Sequence, residues 1–372
     1  MYRQLLFLLT LSWAPFAAAR NTQIQVKINK NAELLGFVYF LGYEGAHART
    51  SSDYPEKRRI RYAYGLDLYR QYQAHEKSPH LAVAIGFAQD IWLDYFINLL
   101  VQLDDFPNAK LNEDIDFKYY KRFSAKGDKE EASKNAAAFI EAMNQLYKEV
   151  DFDSYLTKNR LKYDNVLAQV RSGLPDSLFV PAMEKFYQGH FDSYNLVPSL
   201  TIPAGMGFGV SYISEGKSHA FNVFGSFAAP RFEDDQQLNM GFDDEKHLEE
   251  LSTHEFAHSF VNPIIDKLPR ELITAAEKLF VPVKSSMADQ GYTTWKACLY
   301  EHFVRAGEVV IAKNLGKKDD AERLMQHYVQ DRKFIYLPVI LRELEAYNAK
   351  QEGSYPDAVR LAMERLVEEA RR

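Results

Sequence analysis

His254-Glu255-Phe256-Ala257-His258 is the stretch of this 372-residue chain whose residue types and spacing could do chemistry. Two histidines four positions apart stand one turn above each other on a helix, so both imidazoles can grip a single ion. Glu255 follows the first of them and projects past the ion, where a general base must stand to take a proton from a polarised water. Two imidazoles and one carboxylate would fill three positions of a tetrahedral zinc and leave the fourth for that water. Cys298 is the only cysteine, so one zinc per chain has to be held by histidine and carboxylate. The bland alternative is a helix whose two histidines are structural or merely exposed.

A carboxylate ligand would come from a later helix. Thr293 to Ala312 is mostly apolar and aromatic, with charges at Lys296, Glu301, Arg305 and Glu308 and a titratable His302. An acid on such a helix is costly to bury unless it is paired or metal-bound. Glu301 is the expected third ligand. Ala297, one turn earlier, lets the helix approach closely, and Arg305, one turn later, can orient the carboxylate. Glu308 and His302 remain open as alternatives, and a simple Glu301–Arg305 helix pair is the bland reading. Tyr292, His302 and Arg305 are each candidates to stabilise an oxyanion. The run Gly205-Met206-Gly207-Phe208-Gly209-Val210 reads in two ways. It is an edge strand whose backbone could pair with an extended peptide, or a set of turn and bulge positions.

The elements that must position these residues follow from patterning. Asp243 or Asp244 can cap the motif helix, which Leu248, Leu251 and Val261 give an apolar stripe. Pro263 disfavours helix at Asn262, so the helix is expected to stop there. Leu196 to Ile202, Phe208 to Ile213 and His219 to Phe227 are short β-prone runs, read as a small antiparallel sheet just before the motif. Upstream, about Asn31 to Gln188 is helical in pattern. Leu81 to Leu103 reads as one long buried helix with a polar stripe of Asp90, Asp94 and Asn98, whose two carboxylates argue against membrane insertion. Ala125 to Asp151 reads as a solvated amphipathic helix. The expected fold class is α+β and mostly helical. Its regions are a 1–19 leader, a helical part over 20–190, a catalytic core over 191–315 and a helical part over 316–372.

His254 to Pro263, HEFAHSFVNP, resembles the HEF-x-HSFVNP motif of a group of exported zincin-like proteins of the gluzincin type. Glu33-Leu34-Leu35-Gly36, Tyr69 to Val83 and Glu301 to Ala306 resemble further parts of that group. The resemblance implies a zincin-like metalloprotease fold, with His254, His258 and Glu301 as ligands and Glu255 as base. The gap from His258 to Glu301 exceeds the short spacing of thermolysin-type enzymes. A zinc metallopeptidase acting on a peptide or protein substrate is the leading expectation. A zinc hydrolase of a non-peptide amide or ester is the second, and an inactive binding protein on the same scaffold is the third.

Composition bounds the partners. Hydrophobic residues at 47% and aromatics at 14% specify a folded globule. A net charge of −6 provides no basic stripe for nucleic acid. Met1 to Gln4 is a short basic start, Leu5 to Phe16 an apolar run, and Ala17-Ala18-Ala19 a small-residue cleavage site. That order describes a secretory leader too short for a membrane anchor, so a periplasmic or extracellular location is expected. N-terminal sequencing of protein made in a host with a signal peptidase is expected to begin at or near Arg20. An intact Met1 on exported protein would contradict this.

Overall fold

The structure, a computed structural model, describes residues 24–350 and 352–372. The leader expected over residues 1–19 lies outside them. Helices predominate around one four-stranded sheet, so the fold is α+β as expected. β1 (Ile24–Val26), β2 (Ser193–Pro198), β3 (Gly207–Ser214) and β4 (Lys217–Phe224) lie in the order β1-β2-β4-β3.

The sheet is mixed, which corrects the antiparallel expectation. Only β3 and β4 run antiparallel; β4 is parallel to β2, and β2 to β1. The reason lies between β2 and β3. The Ser199 hydroxyl accepts from the Thr201 and Ile202 amides at 3.2 and 3.0 Å and closes a local turn that ends β2. The chain then crosses to the far edge before forming β3. Glu215 and Gly216, at φ 51° and 73°, make the two-residue hairpin turn that returns β4 beside β2. β1 has three residues, too few for an alternating pattern to show in the sequence.

α1 (Lys30–Tyr39) packs against both α2 (Pro79–Ala88) and α3 (Leu93–Leu100), and α3 packs on β3. The run read as one helix over 81–103 is therefore two, bent by 115°. The break is at Trp92, whose extended backbone (φ −71°, ψ 154°) precedes α3. No single helix among the described residues is long and apolar enough to cross a membrane. α4 (Lys129–Glu149) matches the amphipathic helix expected over 125–151. It is capped by Asp128 and buries Ala132, Ala136, Phe139, Ile140, Met143 and Leu146. One hydrophobic cluster runs from Ala32 to Ala370, across the three regions drawn from the sequence after the leader.

Glu33-Leu34-Leu35-Gly36 is where α1 docks on the turn after β2. A Cβ on Gly36 would stand 2.1 Å from the Thr201 Cβ, and the Thr201 hydroxyl donates to the Glu33 carbonyl at 2.9 Å. The contact ties the N-terminal helices to the strand crossover that leads to β3. Gly36→Ala is expected to destabilise the fold by about 1–3 kcal/mol through overpacking, read as a lower urea midpoint. An unchanged midpoint would show that the turn yields at no cost.

Candidate metal centre

α5 (Glu245–Asp266) carries the histidines and α6 (Trp295–Asn314) carries Glu301 and Glu308; the two helices pack together. The Asp244 side chain accepts from the His247 amide at 2.9 Å, which starts α5 in time for His254 and His258 to sit one turn apart. The expected stop at Asn262 is corrected: α5 continues through Pro263 to Asp266. A proline inside a helix costs about 3 kcal/mol in lost hydrogen bonding and steric clash. Here Val261 and Ile265, both fully buried, hold the flanks of Pro263 in the core. Asn262 consequently stays one helical turn from His258, with its Oδ1 3.2 Å from the His258 Nδ1.

Three side chains converge on one point. The Nε2 atoms of His254 and His258 are 3.3 Å apart, and His258 Nε2 is 3.3 Å from Glu301 Oε1. His254 Nε2 is 3.7 Å from Glu301 Oε2, and the donor atoms all lie within 4.8 Å of one another. Bonds of about 2.0–2.1 Å to a tetrahedral ion would set neighbouring ligand atoms roughly 3.3 Å apart. The site therefore has the spacing of a metal triad.

The far sides of both rings decide which atoms face inward. His254 Nδ1 is 2.6 Å from Glu308 Oε1, and Glu308 is held below the usual carboxylate range. Burial works against its ionisation, but His254, Arg305 and Tyr328 outweigh that. An ionised carboxylate only accepts, so His254 carries its proton on Nδ1. The amide oxygen of Asn262 fixes the same tautomer on His258. Both Nε2 lone pairs then point at each other and at Glu301. Burial lowers the His258 pKa, but Glu301, Glu255 and Asn262 overcome it and raise it to about 9. Without an ion, a proton on Nε2 thus has to relieve the clash of acceptors. A bound cation would displace that proton.

Glu301 is buried, and two histidines and Arg305 hold it far below the usual carboxylate range against the opposing effect of burial. Arg305 Nη2 donates to Glu301 Oε2 at 3.0 Å, while its Nη1 is 4.0 Å from Glu308. The guanidinium stacks over Tyr328 and Phe334, and the Tyr328 hydroxyl donates to Glu308 Oε2. Glu308 thus orients His254 and does not share in the triad. His302 also lies outside it. Its Nδ1 is 2.8 Å from the Cys298 carbonyl, its ring packs on Phe334, and burial pushes its pKa down to about 4.

Glu255 faces the other way, toward β3. A Cβ on Gly209 would stand 2.2 Å from the Glu255 carbonyl oxygen, and one on Gly207 would stand 2.9 Å from its Oε1. These glycines are strand residues pressed on the helix, so the turn-and-bulge reading of the run fails there. β3 is an edge strand of the sheet, as the other reading required. The Glu255 carboxylate has no hydrogen bond or ion pair among the described residues. Of the three oxyanion candidates, the structure keeps Tyr292 nearest to free. Its hydroxyl accepts from Arg305 Nη2 at 3.4 Å and lies within hydrogen-bonding reach of Glu301, and burial and Glu301 push its pKa up, so it stays a donor. A cavity of about 510 Å³, walled by Asp90, Trp92, Asp94 and Tyr95, opens beside Tyr292 and Ala297.

Residues 24–358 match the family model described as Domain of unknown function (DUF4932). The chain belongs to this family. No match was found among curated proteins or among solved structures. In this DUF4932 chain the sequence reading missed two side chains that hold the histidine network. Asn262 was open to inference from its position one turn after His258. Tyr328 sits in a separate helical turn, and no local pattern announces it.

Zinc titration of metal-stripped protein is expected to rank the carboxylates. Glu301→Ala should abolish tight binding, and Glu308→Ala should weaken it about 10–100-fold, the usual worth of a carboxylate behind a ligating histidine. The reverse order would make Glu308 the ligand.

Proposed function

We propose that this DUF4932 chain is a zinc-dependent metallopeptidase with a zincin-like arrangement, acting outside the cytoplasm. The observation that carries the reading is the placement of Glu255. A carboxylate with no hydrogen bond or ion pair among the described residues stands beside a His-His-Glu triad and directly under an open strand edge. A base needs a free lone pair.

His254, His258 and Glu301 would hold the zinc, with Glu308 and Asn262 fixing the two imidazoles. Zinc bound there would acidify a water and polarise a substrate carbonyl. Glu255 accepts the proton of that water and passes it to the departing amine. The Tyr292 hydroxyl donates to the carbonyl oxygen as negative charge develops on it. Gly207 and Gly209 offer backbone groups to an extended peptide, which brings its amide over Glu255. The cavity beside Ala297 and Tyr292 can receive a substrate side chain. The strand edge favours a peptide over a small amide or ester, since only a peptide has a backbone to pair with it. The residue 1–19 pattern supports the extracytoplasmic site of action.

Glu255→Gln keeps the size of the side chain but removes the base. Zinc content and urea midpoint are expected to persist while turnover of a mixed-peptide substrate falls by roughly 10²–10⁴-fold. Joint loss of zinc, fold and activity would make Glu255 structural. Unchanged turnover would mean that a different group takes the proton.

A further inference from the structure

The strand edge above Glu255 is open over only two residues. The Gly225 amide donates to the Met206 carbonyl at 3.0 Å, which sets the phase of the β3–β4 hairpin. Phe208, Val210 and Tyr212 then exchange hydrogen bonds with β4, while Gly207, Gly209 and Ser211 turn their N–H and C=O groups outward. Gly207 and Gly209 are half-exposed, and no other described element takes a hydrogen bond from their outward groups. At Ser211 this ends. The Tyr119 hydroxyl donates to the outward carbonyl of Ser211 at 2.5 Å.

Tyr119 is held in place from two sides. It closes a short 3₁₀ turn, Phe117–Tyr119, whose start is capped by Asp116 at 2.8 Å. Beside it, α3 packs on β3, and the Tyr212 hydroxyl donates to the Val101 carbonyl at 3.2 Å, just past the end of α3. A chain pairing with the edge has about 7 Å of strand, two pairing positions, before it meets a side chain that already fills the next acceptor.

We infer that Tyr119 sets the length of substrate at this site, closing the β3 edge after Gly209. The inference rests on the peptidase reading above. An extended peptide pairs with Gly207 and Gly209, and its chain must end or turn away at Ser211. The substrate class that fits is a short peptide, or a chain terminus, on that side of the cleaved bond. The centre of a long extended segment does not fit. Tyr119 touches none of the reacting atoms and acts by steric closure, so it is a specificity-determining residue.

Two nested series of alanine peptides, one to six residues long, test this on the zinc-loaded mature protein. One series carries a metal-chelating hydroxamate at the N-terminus and the other at the C-terminus, so that each extends in one direction from the metal. Affinity is read by calorimetry. In one series the gain per added residue is expected to stop after about two or three residues. In Tyr119→Ala the gain should continue along that series, by about threefold to tenfold for each further hydrogen-bonded pair. Tyr119→Phe, which frees the Ser211 carbonyl but keeps the ring, should show less of this extension. Zinc content and urea midpoint establish that each variant is folded. Wild-type affinity that rises to six residues in both directions, or a stop that persists in Tyr119→Ala, overturns the inference and leaves the peptidase reading standing. A zinc-loaded protein that binds no member of either series removes the peptidase reading and the inference with it.

Discussion

Three acceptor atoms aimed at one another are the constraint on which the rest of this structure depends. Two imidazole lone pairs and a carboxylate cannot share a buried pocket unless a proton or a cation stands between them. Glu308 and Asn262 hold their protons on the outer nitrogens, so the rings cannot escape by changing tautomer. α5 stays helical past Pro263 and keeps Asn262 in reach of His258. Arg305 spans Glu301 and Glu308 and offsets two carboxylates that burial alone would force to protonate.

That network is buried, which makes it strict. Arg305, Glu301 and Glu308 are each less than 8% exposed, so none can turn to water if a partner is lost. Removing one member of such a pair typically costs about 3–5 kcal/mol, because the remaining charge stays in a poorly solvated place. Rigidity around the triad contrasts with the free carboxylate of Glu255 beside it. The same α5 presents a fixed face to α6 and an available acid to β3. Glycine at 209 lets the strand lie directly on the helix backbone, which sets how near a bound chain could come to that acid.

The site was more legible in the sequence than the fold that carries it. His254, Glu255 and His258 could be placed from helical geometry alone, because the periodicity of one helix fixes their relation. Glu301 was approachable because an acid on an apolar helix needs a reason to be buried. Glu308 sits on the same helix and carried the same signal; only the distances separate a residue at Nε2 from one at Nδ1. Strand direction was not legible. The hydrophobic pattern marks a strand but not which neighbour it pairs with, and the crossover after Ser199 carries the chain past one strand position before β3. The break at Trp92 was hidden in the same way, since an apolar run continues unchanged through a bend. Pro263 misled for the opposite reason: a local rule was overridden by two buried neighbours in the core.

X-ray absorption at the zinc edge of the metal-loaded protein tests the central claim most directly. The account predicts one zinc per chain in a four-coordinate shell of nitrogen and oxygen at about 2.0–2.1 Å, with the scattering of two imidazoles and no sulfur. It also predicts that His254→Ala and His258→Ala each remove one imidazole or the metal itself. A sulfur shell, a six-coordinate oxygen shell, or a spectrum unchanged by both substitutions would place the metal elsewhere and contradict the account.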